Sequence, residues 1–336
     1  MSAGIRLVLI LLLLTGPTVI HAGEAGYKNA IASAHPLATS AGMEVLAEGG
    51  NAFDAAVTVA AVLAVVEPYG SSIGGGGLWL LHRASDGKRV MLDGRERAPL
   101  AAHRDMYLDS NGRVIDGLSL DGPLSAGIPG QIAAMVHLQE NYGSLPLQRL
   151  LKPAIEYAER GFKVSESFRR LAGARLKALQ QYASAREILL VDGDVPPNET
   201  VIKQPDLAYT LRQIAGKGGA GFYQGDVAEK LVNGVVADGG IWTLEDLEQY
   251  RVVEREPMTL VWKGMQVTAA SLPSSGGIVL SQILNMLDQY NWSELQEHQR
   301  VHLLAEAMRR AYRDRAEYLG DVDYVKVPAT KLTSVE

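Results

Sequence analysis

Apolar and polar positions recur along this chain at two periods, and the switches between them mark its elements. The opening stretch stands apart: one positive charge, Arg6, precedes the unbroken apolar run Leu7 to Leu14, then Thr15-Gly16-Pro17 and small residues at Ala22 and Ala25. That order predicts a secretory signal peptide, residues 1–22, cut after Ala22 by preference and after Ala25 as second choice. The competing reading, a membrane anchor, fails on length. Eight apolar residues at about 1.5 Å each fall far short of a hydrocarbon core roughly 30 Å thick.

Beyond the leader, Ser40 to Ala47 reads as a short helix stopped by Gly49-Gly50. Asp54 is placed to cap the alanine- and valine-rich run to Val66, which Pro68 halts. That run is apolar on nearly every side and predicts a fully buried helix. Gly77 to His82 and Arg89 to Leu92 then alternate at period two around Ser85-Asp86-Gly87, a hairpin signal. Residues 130–215 carry helical patterns punctuated by Pro, Gly and Asn. Thr243-Leu-Glu-Asp246 spells a capped helix start. Thr259 to Ala269 alternates in a strand-like way up to the turn Pro273-Ser-Ser-Gly-Gly277, and two helices follow near 278–289 and 294–318. The fold class is α+β, with strands near both ends of one domain spanning 23–336, and no internal repeat or linker.

Composition narrows the chemistry. With 47% hydrophobic and 21% charged residues among 336, the chain has enough apolar material for a sizeable core. A formal charge of −6, with acids and bases mixed throughout, offers no basic stripe for a phosphate backbone, so nucleic acid is not an expected partner. The absence of cysteine removes disulfides, thiolate nucleophiles and thiolate metal sites together. His298 and His302 sit one helical turn apart with Glu306 a turn further on, but a solvated helix face shared with Glu294 and Arg309 accounts for them, and no metal is expected.

Other motifs are weighed by context. Gly70-Ser71-Ser72-Ile73-Gly74 spells a nucleophile elbow at Ser72, yet the elbow needs a strand leading in and a helix leading out, the reverse of what is predicted here. Ser85-x-x-Lys88 matches a penicillin-binding signature only across a hairpin turn. Gly74 to Gly77 fit neither a dinucleotide nor a phosphate loop. They permit close backbone approach, either to the buried helix or to a ligand. Arg95, at the end of the second predicted strand, is either one half of a surface ion pair or a bidentate grip for a carboxylate.

Taken in order, His35-Pro36-Leu37-Ala38, Gly49 to Ala56, Val66-Glu-Pro68, Asp93-Gly-Arg-Glu with Ala98-Pro99, and Gly127-Ile-Pro-Gly130 resemble the γ-glutamyltransferase family. The same order continues through Leu151 to Ile155, Ala158 to Phe162, Gln204 to Ala208, Phe222-Tyr-x-Gly225 and Asp246-Leu247 with Tyr250. Pro273 to Gly277, Asp314-Arg315 and Tyr318-Leu-Gly-Asp321 complete it. Singly these are weak, but together and in sequence they are specific. Small departures are Ser72 where the family has glycine and Leu272 where it has proline.

The resemblance implies an N-terminal-nucleophile hydrolase, an αββα sandwich made as a precursor that cuts itself into large and small subunits. The cut frees a threonine whose α-amino group serves as base for its own hydroxyl. That hydroxyl takes the γ-glutamyl group from glutathione or another γ-glutamyl compound and passes it to water or an amino acid. No cofactor is needed. Arg95 matches the family arginine that holds the α-carboxylate of the glutamyl group. In the family the threonine opens a Thr-x-His segment well beyond Tyr-Leu-Gly-Asp, whereas this chain ends fifteen residues after Asp321 and contains no Thr-x-His. The expectation is therefore an incomplete sandwich: a periplasmic or secreted large-subunit half with no catalytic residue of its own, inactive until a small subunit completes a heterodimer. The alternatives are a non-catalytic remnant of the family or the large subunit of a related β-lactam acylase.

Overall fold

A computed structural model describes residues 29–334; the expected leader and both cleavage positions lie outside the described residues. From Ser33 the chain forms one unit. Helix α1 spans Pro36–Ala47, four residues longer at its start than predicted. Pro36 brings a preset φ to the first turn, and the His35 ring accepts the Leu37 N–H, so the start lies upstream of the apolar signal at Ser40. Gly49, at φ +94°, ends the helix as the glycine pair suggested.

Helix α2, Ala52–Val66, is the centre of the core, with Val57, Ala61, Val62 and Val65 fully buried. Its cap is Asn51 rather than Asp54: the Asn51 carboxamide accepts the N–H groups of Phe53 and Asp54, while the Asp54 carboxylate returns to the Asn51 N–H at 2.9 Å. Asp54 also reaches across to Ser144 and Leu145. A buried carboxylate there is stable because donors surround it.

Strands β1 (Gly77–Arg83) and β2 (Lys88–Gly94) form the expected hairpin. Helices α3 (Gln131–Tyr142) and α4 (Leu147–Arg160) follow, and Thr58 Oγ1 donates to the Leu150 carbonyl to lock α2 against α4. A two-residue strand β3 (Phe162–Lys163), helices α5 (Glu166–Ala174), α6 (Leu176–Gln181) and α7 (Ala183–Leu189), and strand β4 (Val201–Ile202) come next. The β3–β4 pair has no counterpart in the sequence pattern, since two residues carry no readable period. Helices α8 (Pro205–Lys217), α9 (Ala220–Tyr223) and α10 (Gly225–Ala237) lead to α11 (Leu244–Gln249), whose Thr243 and Asp246 make the predicted capping box.

Strand β5 (Val253–Arg255) returns to pair antiparallel with β2, giving sheet order β1-β2-β5 and setting Met91 opposite Arg255 and Asp93 opposite Val253. The alternation read over 259–269 is two strands, β6 (Met258–Trp262) and β7 (Met265–Ala269). Lys263 and Gly264 both take positive φ at the turn, which matches the twist of a tight hairpin. Helices α12 (Gly276–Leu287) and α13 (Glu297–Tyr318) match the last two predicted, and α14 (Ala329–Leu332) closes the described chain. Among the described residues no helix is long and apolar enough to cross a membrane.

Candidate functional site

The site begins where β2 runs out. Asp93 is 8% exposed, and its carboxylate takes the Arg95 N–H at 3.1 Å on one oxygen and Arg255 Nε at 2.9 Å on the other. Arg255 stands at the end of β5 because of the β2–β5 register, and its two terminal nitrogens fork onto Asp323 at 3.0 and 2.7 Å. Hydrogen bonding to Asp323, reinforced by Asp93 against the opposing effect of burial, holds the Arg255 guanidinium above its ordinary pKa. The same contact holds the Asp323 carboxyl below the carboxylate range. One chain of charge thus ties together three segments far apart in sequence.

These segments surround a cavity of about 650 Å³, walled by Arg95, Glu96 and Arg97, by Tyr250 and Arg255, by Pro273 to Ser275, and by Asp321, Asp323 and Tyr324. The back of the wall is aromatic. The Tyr250 hydroxyl donates to the Arg95 carbonyl at 2.7 Å, and its ring lies parallel to that of Tyr223 at 5.7 Å. Burial, then the negative charge of Asp93, pushes the Tyr250 phenol above its ordinary pKa, so it stays protonated and able to donate. Tyr223 donates in turn to the buried Pro129 carbonyl at 2.8 Å. At the mouth, Arg315 Nε donates to Ser275 Oγ at 3.0 Å, which links the Asp314-Arg315 motif to the Pro273-Ser-Ser turn.

Arg95 stands at the cavity beside Glu96. Its guanidinium lies 3.3 Å from Glu96 Oε2, but that oxygen is buried without any hydrogen-bond partner, so the pair is a loose one. The Arg95 side chain, 56% exposed, makes no hydrogen bond among the described residues and borders the cavity. Its donors are available to a ligand.

The glycine run lies behind the cavity wall. Gly76 presses on the backbone from Gly94 to Glu96, where a Cβ would collide with the Gly94 carbonyl, and the Gly75 carbonyl accepts from Gly130 and Gln131 at 3.0 Å. The run packs against the segment that carries Arg95 and walls the cavity, rather than against α2. Ser72 sits between a helix and a strand in the reversed order noted above, its hydroxyl accepting the Gly74 N–H. Ser85 and Lys88 flank the hairpin turn. His298 and His302 are exposed on α13, and Glu306 pairs with Arg309 at 2.7 Å. Sequence reasoning missed Asp93, Arg255 and Asp323 as a unit. Asp93 stands in the Asp93-Gly-Arg-Glu motif, whereas Arg255 and Asp323 have no signal but their charge.

The family model described as Gamma-glutamyltranspeptidase matches residues 38–336. A glutathione hydrolase proenzyme of Pseudomonas sp. (strain A14) is 44% identical over 306 residues, covering 90% of this chain and 53% of that protein. The crystal structure of Helicobacter pylori gamma-glutamyltranspeptidase superposes with a TM-score of 0.89 at 42% identity, covering 91% of this chain and 88% of that one. The enzyme from Pseudomonas nitroreducens complexed with L-DON gives a TM-score of 0.85 at 40% identity, covering 91% of each. The chain spans about half the length of the curated relatives it matches. With the motif residues Asp93, Arg95, Glu96, Ala98, Tyr250, Pro273 to Ser275 and Asp321 lining one cavity and a family match over nearly the whole described chain, this protein belongs to the gamma-glutamyltranspeptidase family.

Proposed function

We propose that this chain is the large-subunit portion of a γ-glutamyltransferase or glutathione hydrolase, exported to the periplasm or beyond by its leader, and that a companion segment supplies the nucleophilic threonine. The observation that carries the reading is a contrast in coverage: the chain fills most of a solved family chain but only half of a curated proenzyme. Arg95, with no side-chain hydrogen bond beyond its loose pairing with Glu96 at the cavity rim, grips the α-carboxylate of the γ-glutamyl group. The threonine hydroxyl adds to the γ-carbonyl while its own amine takes the proton. The carbon–nitrogen bond then breaks, the departing amine leaves with that proton, and water or an amino acid releases the ester by the same steps reversed.

The sheet β1-β2-β5 and the β6–β7 hairpin are this chain's share of an αββα sandwich whose remaining strands come from the companion. An isolated two-stranded hairpin is marginal in water, which fits a partner being required. Mixing the purified chain with a companion that begins Thr-x-His is expected to release anilide from a chromogenic γ-glutamyl anilide, and the chain alone to release none. Turnover by the chain alone overturns the reading. A mixture that stays inert on γ-glutamyl anilides but cleaves a glutaryl β-lactam assigns the chain to an acylase instead.

A further inference from the structure

Apart from the loose ion pair with Glu96, Arg95 has no side-chain hydrogen bond to fix its aim, and more than half of the side chain is open to water. Where its guanidinium starts is therefore set by the backbone that carries it, and that backbone is held on both sides. The Arg95 N–H is bound by Asp93 Oδ1 at 3.1 Å, and the Arg95 carbonyl by the Tyr250 hydroxyl at 2.7 Å. We infer that Tyr250 and Asp93 are positioning residues for substrate recognition, a clamp that orients the Arg95 Cα–Cβ bond towards the cavity; this rests on the reading of Arg95 given above.

Each jaw of the clamp is itself fixed. Tyr250 lies flat against Tyr223 with 4° between the rings, and Tyr223 is anchored by the Pro129 carbonyl at the entry to α3 and by the Ala133 N–H at 3.2 Å. Asp93 is held by Arg255, and Arg255 by the Asp323 fork. A tyrosine needed only to fill the core would need only its ring. Here the hydroxyl meets one particular carbonyl, 155 residues away in the chain. A pre-aimed arginine loses less freedom when a carboxylate arrives, so the clamp acts on binding more than on the later bond changes.

The test is a double-mutant cycle on the enzyme assembled from this chain and its companion, read as KM and kcat for a γ-glutamyl anilide. Tyr250→Phe keeps the ring and its stack and removes only the donor. It is expected to raise KM about tenfold with kcat within about twofold. In an Arg95→Ala background the same change is expected to leave KM unmoved, because there is no guanidinium left to aim. A 4-aminobutyryl anilide, which lacks the α-carboxylate, is expected to show no difference between the parent and the Tyr250→Phe enzyme at equal enzyme concentration. If Arg95→Ala raises KM but Tyr250→Phe does not, or if Tyr250→Phe acts equally in both backgrounds, the clamp is wrong while the role of Arg95 stands. An Arg95→Ala enzyme with unchanged KM removes the carboxylate grip and the clamp with it.

Discussion

Helices α2 and α13 are the two longest among the described residues, and the fold treats them oppositely. In α2 nine of fifteen residues are buried, and even its aspartate is enclosed by donors. In α13 only Ala307 and Ala311 are buried out of twenty-two, while Val301, Leu304, Met308 and Tyr312 form an exposed stripe at helical spacing. The β6–β7 hairpin, which packs against α12, repeats the pattern, with Val261 72% exposed and Met265 53%. Buried polar atoms without partners also occur in this part of the chain, at Trp262 Nε1 and Arg300 Nε. The amino-terminal part holds most of the buried core, although Val114 and Leu120 are exposed there and Glu96 Oε2 is buried without a partner. Under the proposal above, the exposed apolar surface beyond β5 is what the threonine-bearing companion covers.

The largest effect is expected on the amino-terminal side. Asp54→Ala leaves the N–H groups of Asn51, Ser144 and Leu145 without their acceptor, at a position where the aspartate itself is fully buried but Ser144 is open to solvent. Denaturant unfolding of the assembled protein is expected to show a loss of about 2 kcal/mol. A loss below about 1 kcal/mol means that α2 is not the keystone the burial suggests. Beyond β5, Val301→Asp combined with Met308→Asp is expected to leave the melting of the chain alone within about 0.5 kcal/mol, since both side chains are already exposed. The same pair is expected to reduce self-association of the chain alone in sedimentation and to weaken its binding to the companion at least about tenfold. Undiminished binding removes α13 from the interface.

What is legible in the sequence divides along similar lines. The buried helix, the β1–β2 hairpin and the Thr243–Asp246 capping box can be read because each is decided within a few residues, by composition, an Asp-Gly turn or a cap and its third neighbour. The cap of α2 lies three positions before the one expected, because Asn51 and Asp54 are both good cap residues and share one box. The hairpin at 258–269 reads as one strand because period two continues through its turn, where Lys263 gives no warning and Gly264 alone does. Arg95 is found by resemblance and stands at the cavity. Its partners escape such a reading, because Asp93 meets Arg255 across 162 residues and Tyr250 meets Arg95 across 155, and pairing over such distances is written in the register of β5 on β2 rather than in any local pattern.

The smallest effect concerns the seam between the two regions. Glu254 of β5 accepts from the Tyr142 hydroxyl at 2.6 Å, lies 3.0 Å from His137 Nε2 and 3.4 Å from Lys88 Nζ, while Lys88 also donates to Tyr142 and Arg83 lies over the Tyr142 ring. Burial works to raise its pKa, but the hydrogen bonds from Tyr142 and His137 and the Lys88 charge outweigh it and bring the carboxyl from 4.5 down to about 2. A folded value below the unfolded one means that the group's stabilisation is complete above pH about 4.5 and is lost as the pH falls through about 2. Glu254→Gln keeps the shape and cannot titrate. Its melting temperature is therefore expected to sit below that of the parent at pH 7 and to fall less steeply between pH 5 and 2, as the parent gives up what the variant never had. Because β5 also carries Arg255, acid that loosens Glu254 reaches the clamp on Arg95 only if the two ends of this three-residue strand move together. KM for a γ-glutamyl anilide that is the same for Glu254→Gln and the parent at pH 7 means that the seam holds the two regions together without tuning the cavity, whereas a raised KM couples the amino-terminal part of the fold to the site through β5.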